Sequence, residues 1–189
     1  MSALISPTKM FHADSYLKVI IGPMWSGKTS EVINIYKYNS IAQISTLIIN
    51  FEEDKRYHNT NLSSHDKVML PCSRYKTLAP ILNCVDDYKC FIIDEAQFFP
   101  DLYSIVESLL DAGKIVYVCG LDSDFKMKKF GNILDIIPLA DEVLKKQALC
   151  AICRNGKKAS FSKRLSEETA QKLIGVENYL PVCRECHKK

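Results

Sequence analysis

The sequence lacks long apolar runs, a large charge excess, and the glycine or proline enrichment of low-complexity chains. No stretch approaches the ~18 apolar residues that a membrane-spanning helix needs. Near the start, Lys9, His12 and Asp14 interrupt what would be the apolar centre of a signal peptide. Glycine and proline number 7 each among 189 residues, which excludes collagen-like and low-complexity classes. We therefore expect a globular cytoplasmic protein without a membrane partner.

The sequence also has little net charge. The 25 basic and 22 acidic residues leave a formal charge of +3. Nucleic-acid-binding domains usually carry a stronger and more clustered basic excess, so we expect no nucleic-acid partner. The scattered lysines after residue 125 are interpreted as a solvated surface.

Short apolar runs are present at regular intervals. They cover residues 17–21, 47–51, 90–93 and 115–119. Continuous runs of this length and β-branched content are typical of strands buried on both faces of a parallel sheet. Segments with helical spacing separate them, at 28–39, 103–110 and more weakly 75–82. The alternation predicts an α/β fold built from βαβ units, with a loop over 52–68.

The pattern changes near residue 140, after which two cysteine pairs bracket a polar, lysine-rich stretch. We predict two domains. Residues 1–140 would form an α/β domain with a parallel sheet. Residues 141–189 would form a small domain that contains both cysteine pairs.

A phosphate-binding loop joins the first predicted strand to the first predicted helix. The residues Gly22, Pro23, Met24, Trp25, Ser26, Gly27, Lys28 and Thr29 fit the pattern G-x-x-x-x-G-K-[ST]. Glycines let backbone N–H groups point at phosphate oxygens, and the helix begins with its positive dipole end toward the anion. Lys28 would reach the β- and γ-phosphates, and the Thr29 hydroxyl would bind Mg²⁺.

A pair of carboxylates follows the third apolar run. Asp94 ends the predicted strand and would hold the Mg²⁺ shell, as the acid does in other phosphate-loop enzymes. Glu95 projects in a different direction, which suits a general base. Spacing alone does not decide which carboxylate has which role.

Two cysteine pairs have the spacing of a metal site. Cys150 and Cys153 form one C-x-x-C turn, and Cys183 and Cys186 form the other. Four thiolates from two such turns make a closed tetrahedral Zn²⁺ site. The loop between the pairs would then be pinned at its base, as a lid over a substrate would be; a nucleic-acid-binding zinc ribbon is the alternative. Cys90 and Cys119 lie in predicted strands and are expected in the core.

Together these motifs resemble the type II thymidine kinases, the cytosolic human, bacterial and poxviral type. The likeness runs from about residue 18 to residue 187 and follows the order of that family. Its elements are the phosphate loop, Asp54-Lys55-Arg56-Tyr57, Asp94-Glu95-Ala96-Gln97-Phe98-Phe99, Gly120-Leu121-Asp122 with Phe125, Phe130-Gly131, the cysteine pairs, Ser162-Lys163-Arg164, and Ile174-Gly175 with Tyr179. Trp25 stands where the family commonly has Phe, and Gly175-Val176 replaces its double glycine.

The resemblance implies transfer of the ATP γ-phosphate to the 5′-hydroxyl of thymidine, with deoxyuridine as a second candidate substrate. It makes Glu95 the general base and places Asp54 and Arg56 on the phosphate side. The implied walls of the nucleoside pocket are Met24, Phe98, Leu121 and Phe125. A lasso-shaped loop containing Gln171, Lys172, Leu173, Ile174 and Gly175 would read the base through main-chain groups, with Tyr179 against the nucleoside.

The resemblance further implies a P-loop nucleotide-binding kinase domain over residues 1–140 and a zinc-binding domain with the substrate lasso over residues 141–189. It also implies structural Zn²⁺, Mg²⁺ with ATP, a homotetramer and feedback inhibition by thymidine triphosphate. Two other functions remain open from the sequence. One is a nucleic-acid ATPase that binds through a zinc ribbon, against which the small charge argues. The other is an inactive nucleotide-binding relative, against which the intact Lys28, Thr29, Asp94 and Glu95 argue.

Overall fold

The computed structural model describes residues 15–54, 61–63, 69–166, 168, 171 and 178–189. The larger part of the chain forms a central sheet with helices on both sides. Its strands are β1 (Tyr16–Ile21), β2 (Thr46–Phe51), β5 (Ser73–Tyr75), β6 (Cys90–Ile93), β7 (Ile115–Gly120) and β8 (Glu142–Lys145). Helix α1 covers Lys28–Ile41 and α2 covers Leu102–Asp111, and 3₁₀ turns cover Ala79–Asp87, Ala96–Phe98 and Ile137–Leu139.

The sheet is parallel throughout, in the order β5-β2-β6-β7-β1-β8. Alternate residues of each central strand enter two different apolar layers. Val19 and Val118 face the layer that holds α2, whereas Ile20 and Cys119 face the layer that holds α1. Burial on both faces explains why these strands are continuous apolar runs, and it confirms the predicted α/β fold with a parallel sheet.

A small antiparallel unit follows the sheet, which we call the cysteine module (residues 148–189). It contains β9 (Ala148–Leu149) paired with β10 (Lys158–Ala159), β11 (Phe161–Arg164) paired with β12 (Tyr179–Val182), and helix α3 (Arg184–Lys188). Its own apolar cluster includes three of the four paired cysteines, Cys150, Cys183 and Cys186.

Strand β8 lies beyond the predicted domain boundary at 140/141, yet it pairs with β1 in the central sheet. It is an edge strand with mostly exposed side chains, so it carries no apolar run that a pattern could detect. The division into domains 1–140 and 141–189 stays a prediction.

The weak helix predicted over 75–82 is wrong in its first half. Tyr75 instead ends β5 and pairs with Phe51 of β2. The helical turn begins only at Ala79, where Asp101 Oδ2 accepts hydrogen bonds from the N–H groups of Leu78 and Ala79 at 2.8 and 2.9 Å. Within the predicted 52–68 loop the structure describes β3 (Asn61–Ser63), which pairs with β4 (Met69–Pro71).

Candidate active site

The phosphate loop leaves the carboxyl end of β1 and enters α1 at Lys28. Lys28 Nζ donates hydrogen bonds to the carbonyl oxygens of Gly22 (3.0 Å) and Pro23 (2.8 Å), so its ammonium group lies over the loop. Ser26 Oγ is buried without a hydrogen-bond partner among the described residues. Trp25 is exposed and has φ 63°, and Thr29 is half-buried at the start of the helix. These groups could all turn toward a bound phosphate chain.

The end of β8 supports this loop from one side. Lys146 N donates to Ile21 O at 2.8 Å, and Lys146 Nζ forms a 2.8 Å ion pair with Glu31 of α1. A side chain at position 22 would place Cβ 2.4 Å from the Lys146 carbonyl oxygen, so this close approach requires glycine. Sequence reasoning missed Lys146 because no local pattern links residues so far apart.

The two adjacent carboxylates follow β6 at the same edge of the sheet. Asp94 is 3 % exposed, and its Oδ1 accepts a hydrogen bond from Glu95 N at 2.9 Å. Burial, and then repulsion from the Glu95 carboxylate, raises the pKa of Asp94 to about 6. Glu95 is half-buried with left-handed backbone (φ 52°), and its Oε2 accepts a hydrogen bond from Gln97 Nε2 at 2.6 Å.

Cys119 lies on β7, between the strands β1 and β6 that lead to Lys28 and Asp94. This thiol is fully buried near the end of β7, as predicted for a core cysteine, and so is that of Cys90 in β6. Burial, the nearby charge of Asp94 and a hydrogen bond to that carboxylate raise the pKa of Cys119 well above its ordinary value, while Lys28 opposes the shift. The strands that precede Lys28 and Asp94, β1 and β6, both pair in parallel with β7. The two residues therefore lie on the same carboxyl edge of the sheet, where ligands bind in open α/β sheets.

Asp54 belongs to the same edge. It follows β2, is 6 % exposed, and accepts a hydrogen bond from Asn50 Nδ2 at 3.2 Å. Its charge contributes to the raised pKa of Asp94, so the two carboxylates are neighbours. Arg74 donates a hydrogen bond to the Asp54 carbonyl oxygen. Arg56 lies outside the described residues.

Apolar side chains flank this charged edge. Phe98 packs against Phe51 (ring centroids 5.1 Å apart) and Phe130 (5.4 Å). Leu121 directly follows β7, and its N–H donates to Gln97 Oε1 at 2.9 Å. Met24, in the phosphate loop, is buried. Met24, Phe98 and Leu121, three of the predicted wall residues, thus follow β1, β6 and β7.

Phe125 is covered by the cysteine module. The Arg164 guanidinium lies 3.9 Å from the Phe125 ring centroid, a distance typical of a cation–π contact. Arg164 is itself buried and donates from Nε to the Tyr179 hydroxyl at 3.0 Å. His187 Nε2 lies 2.9 Å from the Phe125 carbonyl oxygen.

Arg164 also holds the chain between the cysteine pairs. It donates to the carbonyl oxygens of Glu168 (2.8 Å) and Gln171 (3.2 Å). Gln171 Nε2 in turn donates to Asp124 Oδ2 at 2.8 Å, which connects the predicted lasso to the segment after β7. The predicted lasso residues Lys172, Leu173, Ile174 and Gly175 lie outside the described residues.

One hydrogen bond joins the cysteine module to the phosphate loop. Met24 N donates to Ser162 Oγ at 3.1 Å in a buried position. Ser162 and Arg164 belong to a motif that the sequence singled out, yet no chemistry could be assigned to them, because Met24 and Phe125, which they contact, are distant in sequence. Gln97 was overlooked because its bond to Leu121 joins segments that follow different strands.

The four paired cysteines could hold a metal ion. All four Sγ atoms lie within 4.8 Å of one another. That separation fits a tetrahedral thiolate site, in which each sulfur is ~2.3 Å from zinc. Desolvation opposes ionisation of Cys150, but hydrogen bonds from the backbone of Cys153, Cys183 and Ile152 outweigh it and lower the pKa of this thiol to about 6. Burial and the neighbouring thiols instead raise the pKa of Cys153, and that of Cys186 to about 12. Binding of a metal such as zinc would therefore release protons from the cluster.

No helix in the described part of the chain is long and apolar enough to cross a membrane.

Comparison with known proteins identifies a close set of relatives. Residues 15–187 match the family model described as "Thymidine kinase". The chain is 42 % identical over 173 residues to the thymidine kinases of variola virus and of vaccinia virus strain Western Reserve, and 41 % identical to that of monkeypox virus. Each match covers 91 % of this chain and 96 % of the relative.

Proposed function

Because the chain belongs to the thymidine kinase family, we propose that it transfers the γ-phosphoryl group of ATP to the 5′-hydroxyl of thymidine at the carboxyl edge of its parallel sheet. The observation that carries the proposal is that Lys28, at the start of the helix after β1, and Asp94 and Glu95, after β6, follow the two strands that flank β7, so all three lie at one edge of the parallel sheet. A cation, a metal-side carboxylate and a candidate base at one sheet edge are the parts that phosphoryl transfer requires.

Glu95 is the proposed general base. Its carboxylate takes the proton of the thymidine 5′-hydroxyl as that oxygen forms a bond to the γ-phosphorus. The bond from the γ-phosphorus to the β–γ bridging oxygen breaks at the same time, and ADP leaves with the electron pair. Of the two adjacent carboxylates, Glu95 suits this role better because it is half-buried, whereas Asp94 is almost fully enclosed.

The phosphate side offsets negative charge. The backbone N–H groups from Trp25 to Thr29 and the Lys28 ammonium would hold the β- and γ-phosphates, and Asp54 and Arg56 would flank them. Pro23 has no N–H, and the N–H of Met24 is hydrogen-bonded to Ser162. Oxygen ligands from Thr29 and Asp94 fit Mg²⁺, which accompanies ATP and neutralises charge on its phosphates. The buried Ser26 hydroxyl, which has no hydrogen-bond partner in the described part of the chain, supports a phosphate contact from the same loop.

The nucleoside side is formed by rings and main chain. Met24, Phe98, Leu121 and Phe125 are the proposed walls around the base, and Phe125 is the candidate for stacking on the pyrimidine. Tyr179 would lie against the nucleoside. The main chain of Gln171, with residues 172–175, would read the base edge, with deoxyuridine as the second candidate substrate.

The cysteine module is proposed to hold structural Zn²⁺ through Cys150, Cys153, Cys183 and Cys186. Four cysteine ligands leave no open position, so the ion would stabilise the module and take no part in the reaction. By family resemblance we also propose a cytoplasmic homotetramer and feedback inhibition by thymidine triphosphate.

ADP release tests the proposal. Purified zinc-loaded protein is given ATP and Mg²⁺ alone, or with thymidine, deoxyuridine, deoxycytidine or deoxyguanosine. We expect ADP with thymidine, and little with deoxycytidine or deoxyguanosine. ADP that appears only on addition of DNA would favour an ATPase, and no nucleoside-dependent ADP from folded protein would contradict the kinase.

A further inference from the structure

We propose that Gln97 is a positioning residue that fixes the orientation of the Glu95 carboxylate and ties it to the wall of the nucleoside pocket. This inference rests on the role of Glu95 as general base under the proposed function. Gln97 would not touch the substrate; it would act through Glu95.

The hydrogen bonds of Gln97 define which way its amide points. Nε2 donates to Glu95 Oε2 at 2.6 Å, and Oε1 accepts from Leu121 N at 2.9 Å. An ionised carboxylate can only accept and a backbone N–H can only donate, so a flipped amide would lose both bonds. One rigid side chain therefore connects the base after β6 with the backbone after β7.

The surroundings leave Gln97 little freedom. Its side chain is 3 % exposed. A Cβ at Gly120 would lie 2.3 Å from Gln97 Oε1, and a Cβ at Gly131, which has φ 58°, would lie 1.9 Å from the Gln97 carbonyl oxygen. The neighbouring chain thus approaches Gln97 so closely that side chains are absent at both points.

The backbone of Glu95 needs such support. Its left-handed conformation (φ 52°, ψ 36°) is uncommon for a residue with a side chain, and such residues persist where the surrounding structure holds them. The Gln97 amide fixes one oxygen of the carboxylate that this strained backbone carries. A base held in this way is oriented before the nucleoside binds, which is the condition for efficient proton transfer.

Two substitutions separate positioning from packing. Gln97→Glu keeps the shape and the acceptor for Leu121 N but replaces the donor to Glu95 with a second carboxylate. Gln97→Met removes both hydrogen bonds and keeps approximate volume. The matched control is Gln147→Glu, because Gln147 is exposed and its amide donates to Ser160 at 2.7 Å, away from the site. Each full-length variant is assayed for thymidine-dependent ADP release, with its melting temperature measured alongside.

We expect Gln97→Glu to lower kcat by about 10- to 100-fold, since misplaced catalytic groups and lost supporting hydrogen bonds cost this much. The KM for ATP should change by about twofold or less, because the phosphate loop is not touched. Gln97→Met should lower kcat similarly and also raise the KM for thymidine through the freed Leu121 N–H. Gln147→Glu should match the wild type.

A Gln97→Glu variant that keeps the wild-type kcat while the wild type is active would overturn the Gln97 inference alone. A loss of kcat that follows only the melting temperature would overturn it as well, because packing would then explain the effect. Wild-type protein without thymidine-dependent ADP release would instead overturn the proposed function, and the inference with it.

Discussion

The phosphate loop and the candidate nucleoside pocket are assembled in different ways. The loop is one uninterrupted stretch, from Gly22 to Thr29, between a buried strand and a helix. The pocket draws on residues that follow three strands of the sheet, and the cysteine module covers it through Arg164, which lies over the Phe125 ring. Local backbone geometry is sufficient to form the phosphate loop, whereas the pocket depends on contacts between segments that are distant in sequence.

The difference indicates how the two regions should respond to damage. A site made from backbone N–H groups on a packed sheet tolerates changes elsewhere, because its donors are fixed by the strand and helix. The small antiparallel unit that covers the pocket has little apolar core of its own, and it relies on a few buried polar contacts and on the metal that we propose. Variants in the two regions should therefore have distinguishable effects on ATP and on thymidine.

The largest expected effect is that of Glu95→Gln, because it changes the proposed general base. The amide cannot accept the 5′-hydroxyl proton, so kcat should fall by about a thousandfold, within the range for loss of a general base. ATP affinity, measured by equilibrium titration, should be retained because the phosphate loop is unchanged. Survival of most of the turnover would show that Glu95 is not the base.

The next largest effect should come from removing a cysteine ligand. Cys183→Ser should abolish stoichiometric metal content, measured by elemental analysis, and lower kcat/KM for thymidine by about a hundredfold or more. ATP affinity should fall far less. Cys84→Ser is the control, because Cys84 lies in the turn after β5 and outside the four-cysteine cluster. Unchanged thymidine turnover in metal-free protein would contradict the expectation that the nucleoside pocket depends on the metal more than the phosphate loop does.

Arg164→Met would sharpen the comparison within the pocket. It removes the cation from the Phe125 ring, and it removes the hydrogen bonds to the Tyr179 hydroxyl and to the carbonyl oxygens of Glu168 and Gln171. The KM for thymidine should rise by about 10- to 100-fold, with the KM for ATP little changed.

Arg184→Met is the matched control for that substitution. Arg184 also lies over an aromatic ring, Phe161 at 4.7 Å, but it is exposed on α3. Exposed contacts of this kind contribute little. Equal rises in the thymidine KM for both arginine variants would show that Arg164 acts through general stability of the module.

The smallest of these effects is expected where the regions meet. Ser162→Ala removes the acceptor for Met24 N and leaves a buried N–H unpaired, which costs about 1–3 kcal/mol. Part of that cost should appear as a rise of about fivefold in the KM for ATP. Ser160→Ala, two residues away and bonded only to the exposed Gln147 among the described contacts, should leave this KM unchanged. An unaffected ATP KM in Ser162→Ala would mean that the two regions are independent at this point.

The sequence was sufficient to predict whatever depends on local pattern. The runs at 17–21, 90–93 and 115–119 became β1, β6 and β7 with nearly the predicted bounds, because strands buried on both faces are apolar without interruption. The phosphate loop and the cysteine cluster were recognisable because their chemistry fixes residue spacing. Strand β8 was missed because an exposed edge strand has no such signal.

Residues that act across the fold could not be assigned in advance. Gln97 is two positions from Glu95, but its bond to Leu121 depends on the pairing of β6 with β7. Ser162 reaches Met24 across 138 positions of sequence, and Lys146 reaches Glu31 across 115. These contacts follow from tertiary packing, which periodicity does not report.

Paired equilibrium titrations test the central claim most directly. Thymidine and Mg²⁺-ATP binding are measured for the wild type, for Lys28→Met and for Arg164→Met. We expect opposite patterns: Lys28→Met weakens ATP binding and keeps thymidine binding, whereas Arg164→Met weakens thymidine binding and keeps ATP binding. Equal losses of both ligands in both variants would contradict the division of the site into a phosphate region and a nucleoside region.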